Sequence, residues 1–254
     1  MTDNAVAAES LTRALHLSRP PIAVCLADSL PHGVPHYTGP RLPAGCVFWQ
    51  EASRRVFATS AHDHNLCAIG MYTHNLETSE SEDTDREDAL KVFADLGYLR
   101  PEQIPSIPVL ATRPKHVVYA PLADSPLAPD VIFLFVEADQ ALILSEAAQA
   151  PESGMAPAMG RPACGAVPAV QNTGRAVLNL GCCGARAYVD ALAPNVALWA
   201  LPGPWLAEYV DRILELSHAY DADGNVTQPW SNSNVWVRDK TRPMMATTAG
   251  TRVA

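Results

Sequence analysis

The sequence predicts a mixed helix and strand protein, α/β or α+β, built as a single compact domain over residues 1–221 with an irregular tail over 222–254. Three observations carry this reading. Hydrophobic residues make up 48% of the 254, enough to fill the core of one domain or of two pseudo-repeated lobes fused together. Runs of β-branched and aromatic residues at 116–120 and 131–136, both bounded by proline, read as strands. The second run leads straight into ADQALILSEAAQ at 138–149, a strand–helix unit of the kind that builds α/β sheets.

The remaining elements follow in chain order. Residues 5–17 place apolar side chains at helical spacing, and Arg19-Pro20-Pro21 ends that helix. Ile22–Leu26 is a buried strand, followed by a Pro-, His- and Gly-rich loop over 31–45. A helix is expected over 46–58, beginning at Cys46, and a glycine-containing turn over Cys67–Met71. The acidic stretch 77–88 reads as a solvated loop and the first turn of a helix over 85–97, where carboxylates suit the positive end of the helix dipole. Residues 151–168 read as a loop around Cys164, and Arg175–Leu180 as a short strand ending at Gly181-Cys182-Cys183-Gly184. Residues 204–218 form an amphipathic helix with Trp205, Leu206, Tyr209, Ile213 and Leu216 on its apolar face. Beyond about 222 the periodicity fades. Trp205, Trp230 and Trp236, in or near that segment, lead to the expectation of a homodimer in which part of 222–254 crosses to a partner. A loose two-fold pattern runs through the whole: each half has an apolar strand followed by two cysteines, Cys46 and Cys67, then Cys164 and Cys182.

Charge and composition narrow the function classes. The formal net charge is −9 with no basic run, which disfavours nucleic acid as a partner, because binding there rests on Lys and Arg neutralising phosphates. No apolar run reaches the roughly 18 residues that a membrane span needs. The N-terminus lacks the basic and apolar regions of a secretory signal, so a cytoplasmic, reducing location is expected. Six cysteines in that setting point to free, metal-bound or redox-active thiols rather than disulfides. The motifs of serine hydrolases, P-loop nucleotidases, zinc proteases and dinucleotide-binding enzymes are missing, as is a tight C-x-x-C pair.

What remains is the cysteines. Cys46 follows Gly45, Cys67 lies in NLCAIG, Cys164 in GRPACGAVP and Cys182 in LGCCGAR. Glycine lets the backbone turn tightly and brings N–H groups close to a sulfur or an anion. Arg161 and Arg186 lie near Cys164 and Cys182 in sequence and could offset thiolate or substrate charge. Cys25, inside an apolar strand, reads as a buried filler. Four thiolates can hold a [4Fe-4S] cluster or a structural zinc, and the lack of closely spaced cysteine pairs favours iron–sulfur over zinc. His62, His64 and His74 cluster around Cys67, and imidazole with thiolate also binds zinc or iron. His64 could equally serve as a proton donor in a pocket.

At GCVFWQ, DHNLCAIGMYTHN, VYAPLAD, PDV, GRPACGAVP and LGCCGARAY the chain resembles domain-of-unknown-function family 169 (DUF169), from about Pro20 to about Ser217. The resemblance implies one fold across that span. It puts the family's motif cysteines on Cys46, Cys67, Cys164 and Cys182, and its D-H-x-x-C, T-H and G-x-R motifs on His64, His74 and Arg186. Cys183 stands where the family is expected to carry an aliphatic residue. The family supplies no reaction.

The expectation is therefore a redox protein with a cysteine-ligated iron–sulfur cluster that acts on a small-molecule substrate or takes electrons from a donor. Cys46, Cys67, Cys164 and Cys182 are the metal ligands, His64 and Arg186 the catalytic candidates, and Arg161, Gly181 and Gly184 the cofactor-binding ones. The alternatives are a non-enzymatic carrier or sensor of a small molecule or metal, with zinc in place of the cluster, and a metal-free cysteine enzyme with His64 as base.

Overall fold

Six strands form one sheet: β1 (Ile22–Ala27), β2 (Phe57–Thr59), β3 (His116–Pro121), β4 (Val131–Val136), β5 (Val177–Asn179) and β6 (Ala197–Pro202). Their order is β2-β3-β1-β4-β6-β5, and every pairing is antiparallel, so the fold is α+β. The computed structural model describes residues 3–42, 44–97, 100–149, 154–182 and 184–217. The tail with Trp230 and Trp236, the boundary at 221 and Cys183 lie outside them. No helix among the described residues is long and apolar enough to cross a membrane.

Both faces of the sheet are buried, which explains why its strands are near-continuous apolar runs rather than alternating ones. Successive side chains of a strand point to opposite faces. On one face Ala23, Cys25, Ile132, Leu134, Trp199 and Leu201 meet helices α1 (Asn4–Ala14), α6 (Ala138–Ala147) and α8 (Leu206–Ser217). On the other, Ile22, Val24, Phe133, Phe135, Leu198 and Ala200 pack with Phe48 and Trp49 of α2 (Val47–Ala52) and with Val167 and Val170 of α7 (Ala166–Thr173). Two short helices, α3 (Ala61–His64) and α4 (Ala68–His74), and the acidic helix α5 (Glu80–Asp95) complete the set.

The sheet is one motif used twice. Read inward from either edge, the halves run β2-β3-β1 and β5-β6-β4, and the strand lengths match in order. So do the registers: Ile22 pairs with Pro121 as Val131 pairs with Pro202, and Phe57 pairs with Tyr119 as Val177 pairs with Ala200. A single 3-10 turn follows each outer long strand, Leu122–Asp124 and Gly203–Trp205. The halves join along the antiparallel seam β1–β4, where Val24 pairs with Val131. The two-fold pattern in the cysteines is thus a two-fold pattern in the fold.

Several local expectations change. The helix from Cys46 stops at Ala52: Ser53 turns its hydroxyl back to the Trp49 carbonyl, and the chain re-enters as the edge strand β2. Cys67 caps a helix, α4, rather than sitting in an open turn. The loop around Cys164 gives way at Ala166 to α7, whose Pro168 sits in the first turn, where no intrahelical N–H partner is lost. The acidic helix starts earlier, at Glu80, because Ser79 and Glu82 form a reciprocal capping box. Strand β6 is not assigned by the sequence reading, although Pro194-Asn195 and Pro202-Gly203-Pro204 bound it.

Candidate functional site

Four turns, two from each half, bring four cysteines to one face of the sheet. Cys46 precedes α2, Cys67 precedes α4, Cys164 lies in the 3-10 turn before α7, and Cys182 follows β5. They lie close enough that ionising one would disfavour ionising another in every pairing: Cys46 with Cys67, Cys164 and Cys182, Cys67 with Cys164 and Cys182, and Cys164 with Cys182. Cys25 is on the opposite face, against the Ser125 hydroxyl at 3.6 Å. Among the described residues no three His, Cys, Asp or Glu side chains close to the distances of a single-ion site.

The backbone around the sulfurs repeats as well. The N–H groups of Gly45 and Gly70 face the Cys67 sulfur and favour its thiolate. Those of Ala163 and Ala185, with Gly184, do the same for Cys182. In each half the donors are the residue just before the first cysteine and the residue three after the second. Cys46 donates its S–H to Cys182, and this contact together with the three N–H groups pulls the Cys182 thiol down to about 5. Cys46 moves the other way, raised by holding that shared proton and by burial. Burial raises Cys67 and Cys164, the latter opposed in part by the Thr73 hydroxyl.

Two buried histidines flank the cysteines, and their hydrogen bonds fix their tautomers. Thr59 gives its only hydroxyl proton to the Val117 carbonyl at 3.2 Å, so its 3.0 Å contact with His64 Nε2 requires that nitrogen to be the donor. His64 Nδ1 is left as a bare lone pair, buried and without a protein partner. His74 Nδ1 lies 3.0 Å from the Gly70 carbonyl and must donate to it, which leaves Nε2 bare and equally unpartnered. The ring centroids are 5.6 Å apart. A methyl carbon on Gly70 would lie 3.1 Å from Cys67 Sγ and 3.3 Å from His64 Nδ1; one on Gly45 would lie 3.7 Å and 3.5 Å from the same atoms. The two glycines hold open the space between imidazole and thiol.

The structure gives His64 a defined protonation pattern. Burial, then the neighbouring His74, keep its ring neutral, with the one proton committed to Thr59, so toward the cysteines it offers an acceptor and not a proton. His62 lies apart, exposed beside Arg41.

Arg186 is held by backbone carbonyls. Its Nε and Nη2 donate to the Leu180 carbonyl, Nη1 to those of Ala193 and Pro194, and Nη2 to that of Val196. All three nitrogens are spent on backbone, so Arg186 braces the loop that carries Cys182. Gly181 belongs to the same brace: at φ +85° its added Cβ would sit 2.8 Å from Leu192 Cδ1 and 3.1 Å from Arg186 Nε. Its N–H goes to Asn179 Oδ1 at 2.7 Å. Gly184 keeps the role of presenting an N–H to sulfur. Arg161 lines a cavity beside Cys164.

Three positioning residues escape the sequence reading. Asn179, fully buried, ties the Cys164 turn, through the Pro162 and Ala163 carbonyls, to Gly181 beside Cys182. Thr59 and Thr73 set the histidine tautomer and face Cys164, respectively. A polar residue inside an apolar strand is the one signal that could have flagged Asn179 and Thr59.

His74 also makes stability depend on pH. Desolvation lowers its pKa to about 4, against roughly 6.5 in the unfolded chain. As pH falls through that window the unfolded imidazole binds a proton that the native one refuses, so the native state loses stability. Urea unfolding between pH 7 and 5 should show roughly 2 kcal/mol more loss in the parent than in His74→Leu. Parallel curves would mean that the His74 ring is not held neutral.

Compared with curated proteins and with solved structures, the chain finds no match. The family model described as "Uncharacterised ArCR" matches residues 10–212, which span both halves of the sheet and all four cysteines. The chain belongs to that family, DUF169.

Proposed function

We propose that the protein is a redox protein in which Cys46, Cys67, Cys164 and Cys182 hold an iron–sulfur cluster, [4Fe-4S] in type, that serves a small-molecule reaction. The observation that carries this is the mutual interaction of all four sulfurs, delivered by four separate turns from two equivalent halves. In sequence the four cysteines stand far apart rather than in the closely spaced pairs of structural zinc sites, which favours a cluster over a lone zinc. The backbone N–H groups at Cys67 and Cys182 suit thiolates bound to such a centre, whose potential depends on hydrogen bonds to sulfur. The unpartnered lone pair of His64 and the space kept by Gly45 and Gly70 fit a group that the protein does not itself provide. The cluster, when bound, would exchange electrons. The protein's part is to hold it, exclude water from Cys46 and Cys67, and fix both imidazoles as neutral acceptors.

One observation favours a second reading, a cysteine enzyme without metal: the Cys46–Cys182 pair, with Cys182 as a stabilised thiolate. Protein purified without oxygen separates the two. Brown protein with about four irons and as much sulfide per chain is the expected result. A colourless chain with one zinc would support a carrier or sensor. A metal-free chain alkylated first and fastest at Cys182 would support the thiol enzyme.

A further inference from the structure

Two buried acceptors at the site have nothing in the protein to accept from. His64 is 1% exposed and His74 3%, and each neutral ring spends its one proton elsewhere, His64 Nε2 on Thr59 and His74 Nδ1 on the Gly70 carbonyl. His64 Nδ1 and His74 Nε2 are left bare, on rings whose centroids are 5.6 Å apart. A buried acceptor without a donor is costly, so a pair of them calls for a donor from outside the chain. Cys67 Sγ faces the same gap as His64 Nδ1: a methyl carbon on Gly70 would stand 3.1 Å from the sulfur and 3.3 Å from the nitrogen. One on Gly45 would stand 3.7 Å and 3.5 Å from them, and 3.5 Å from the Phe48 ring. That ring packs on His64 with centroids 4.7 Å apart and gives the gap an apolar wall.

What surrounds this gap accepts hydrogen bonds and does not donate them. The thiolates and sulfides of an iron–sulfur cluster are acceptors as well, so a bound cluster leaves both imidazoles without a hydrogen-bond donor. A carboxylate or phosphate would bring only more acceptors. Water or an alcohol turns lone pairs as well as protons toward its neighbours, whereas an ammonium head has three donors and no lone pair. Its positive charge also suits thiolates on a chain of net charge −9. We propose that the imidazole side of the site binds a small primary amine, whose ammonium head donates to His64 Nδ1 and Cys67 Sγ, with His74 as the neighbouring acceptor, and whose short alkyl part lies against Phe48. The role of that amine as substrate rests on the reading of the cysteine site as the functional centre; its chemical class does not.

The test is calorimetric titration of the full chain, prepared without oxygen, with methylammonium chloride and with methanol, at ionic strength matched by sodium chloride and with iron counted in every sample. Methylammonium should bind saturably and at least about tenfold more tightly than methanol, which has the same size but one donor. Gly45→Ala sets a methyl group against both His64 Nδ1 and Cys67 Sγ at ordinary contact distances, so it should fold as the parent does and bind methylammonium at least about tenfold more weakly. Because the comparison of the two probes uses the parent protein, it stands even if Gly45→Ala does not fold. Equal binding of the probes, undiminished binding in a folded Gly45→Ala, or no saturable methylammonium binding would overturn the proposal, the last leaving a buried water as the partner of His64. Methylammonium binding by a chain that holds no iron would keep the amine and remove the cluster, whereas iron without methylammonium binding would do the reverse.

Discussion

Cys182→Ser is expected to fall from about four irons per chain to less than one when prepared without oxygen beside the parent protein. Cys182 is the sulfur most favoured as thiolate: it receives the Cys46 S–H and faces the N–H groups of Ala163, Gly184 and Ala185. A serine hydroxyl in that cradle stays protonated and is a hard, weak donor for a soft centre. The change is nearly isosteric, so the fold should persist and the loss should report ligation rather than unfolding. Cys25→Ser is the matched control, since Cys25 is a buried thiol across the sheet from the site. It should keep its iron and lose only stability. Cys183→Val is expected to keep its iron too, because adjacent residues send their side chains apart and one site seldom takes both. Full iron in Cys182→Ser would remove this turn from the site, and loss in Cys183→Val with retention in Cys182→Ser would reverse the assignment.

Gly203→Ala should cost at least about 4 kcal/mol in urea unfolding, where most point changes cost about 1. An added Cβ would stand 1.7 Å from the Pro129 carbonyl oxygen and 2.5 Å from its carbon. Both are backbone atoms, so no rotamer can move them aside. Relief requires shifting the Asp130 segment away from the turn after β6, and that breaks the 2.9 Å bond from the Gly203 N–H to the Asp130 carbonyl. Gly160→Ala, with nothing near its added carbon and no unusual φ, should be close to neutral. Equal midpoints for the two variants would show that the 129–130 segment yields freely.

The sequence made the long apolar strands legible because burial on both faces leaves them without polar interruptions: β1, β3 and β4 fall within a residue of their expected bounds. The reading left β6 unassigned, although Pro194-Asn195 and Pro202-Gly203-Pro204 bound it, and missed α7, where Pro168 reads as a breaker although it lies in the first turn. The parallel topology implied by a strand leading into a helix does not occur, since α6 packs on one face with α1 and α8 rather than crossing to a parallel neighbour. At the site, the glycines beside Cys46, Cys67, Cys164 and Cys182 made the four turns stand out in the sequence. What each neighbour does there depended on partners distant in sequence. Arg186 looked available until its donors met carbonyls at 180, 193, 194 and 196, and His64 looked like a proton donor until Thr59 and Val117 fixed its tautomer.

Two half-sites fused into one polypeptide can diverge in a way that two identical subunits cannot. In a symmetric dimer any change on one side of a shared centre appears on the other, so the centre has no front or back. Here the first half surrounds its cysteines with His64 and His74, and the second surrounds its own with Asn179, the Arg186 brace and the cavity behind Arg161. The backbone donors have stayed alike while the side chains around them have not. The cysteine site is therefore polarised: one side is formed by buried imidazoles, and the other borders a cavity. Exchange of the two flanks would preserve the sheet and its seam but would move the imidazoles to the other pair of cysteines.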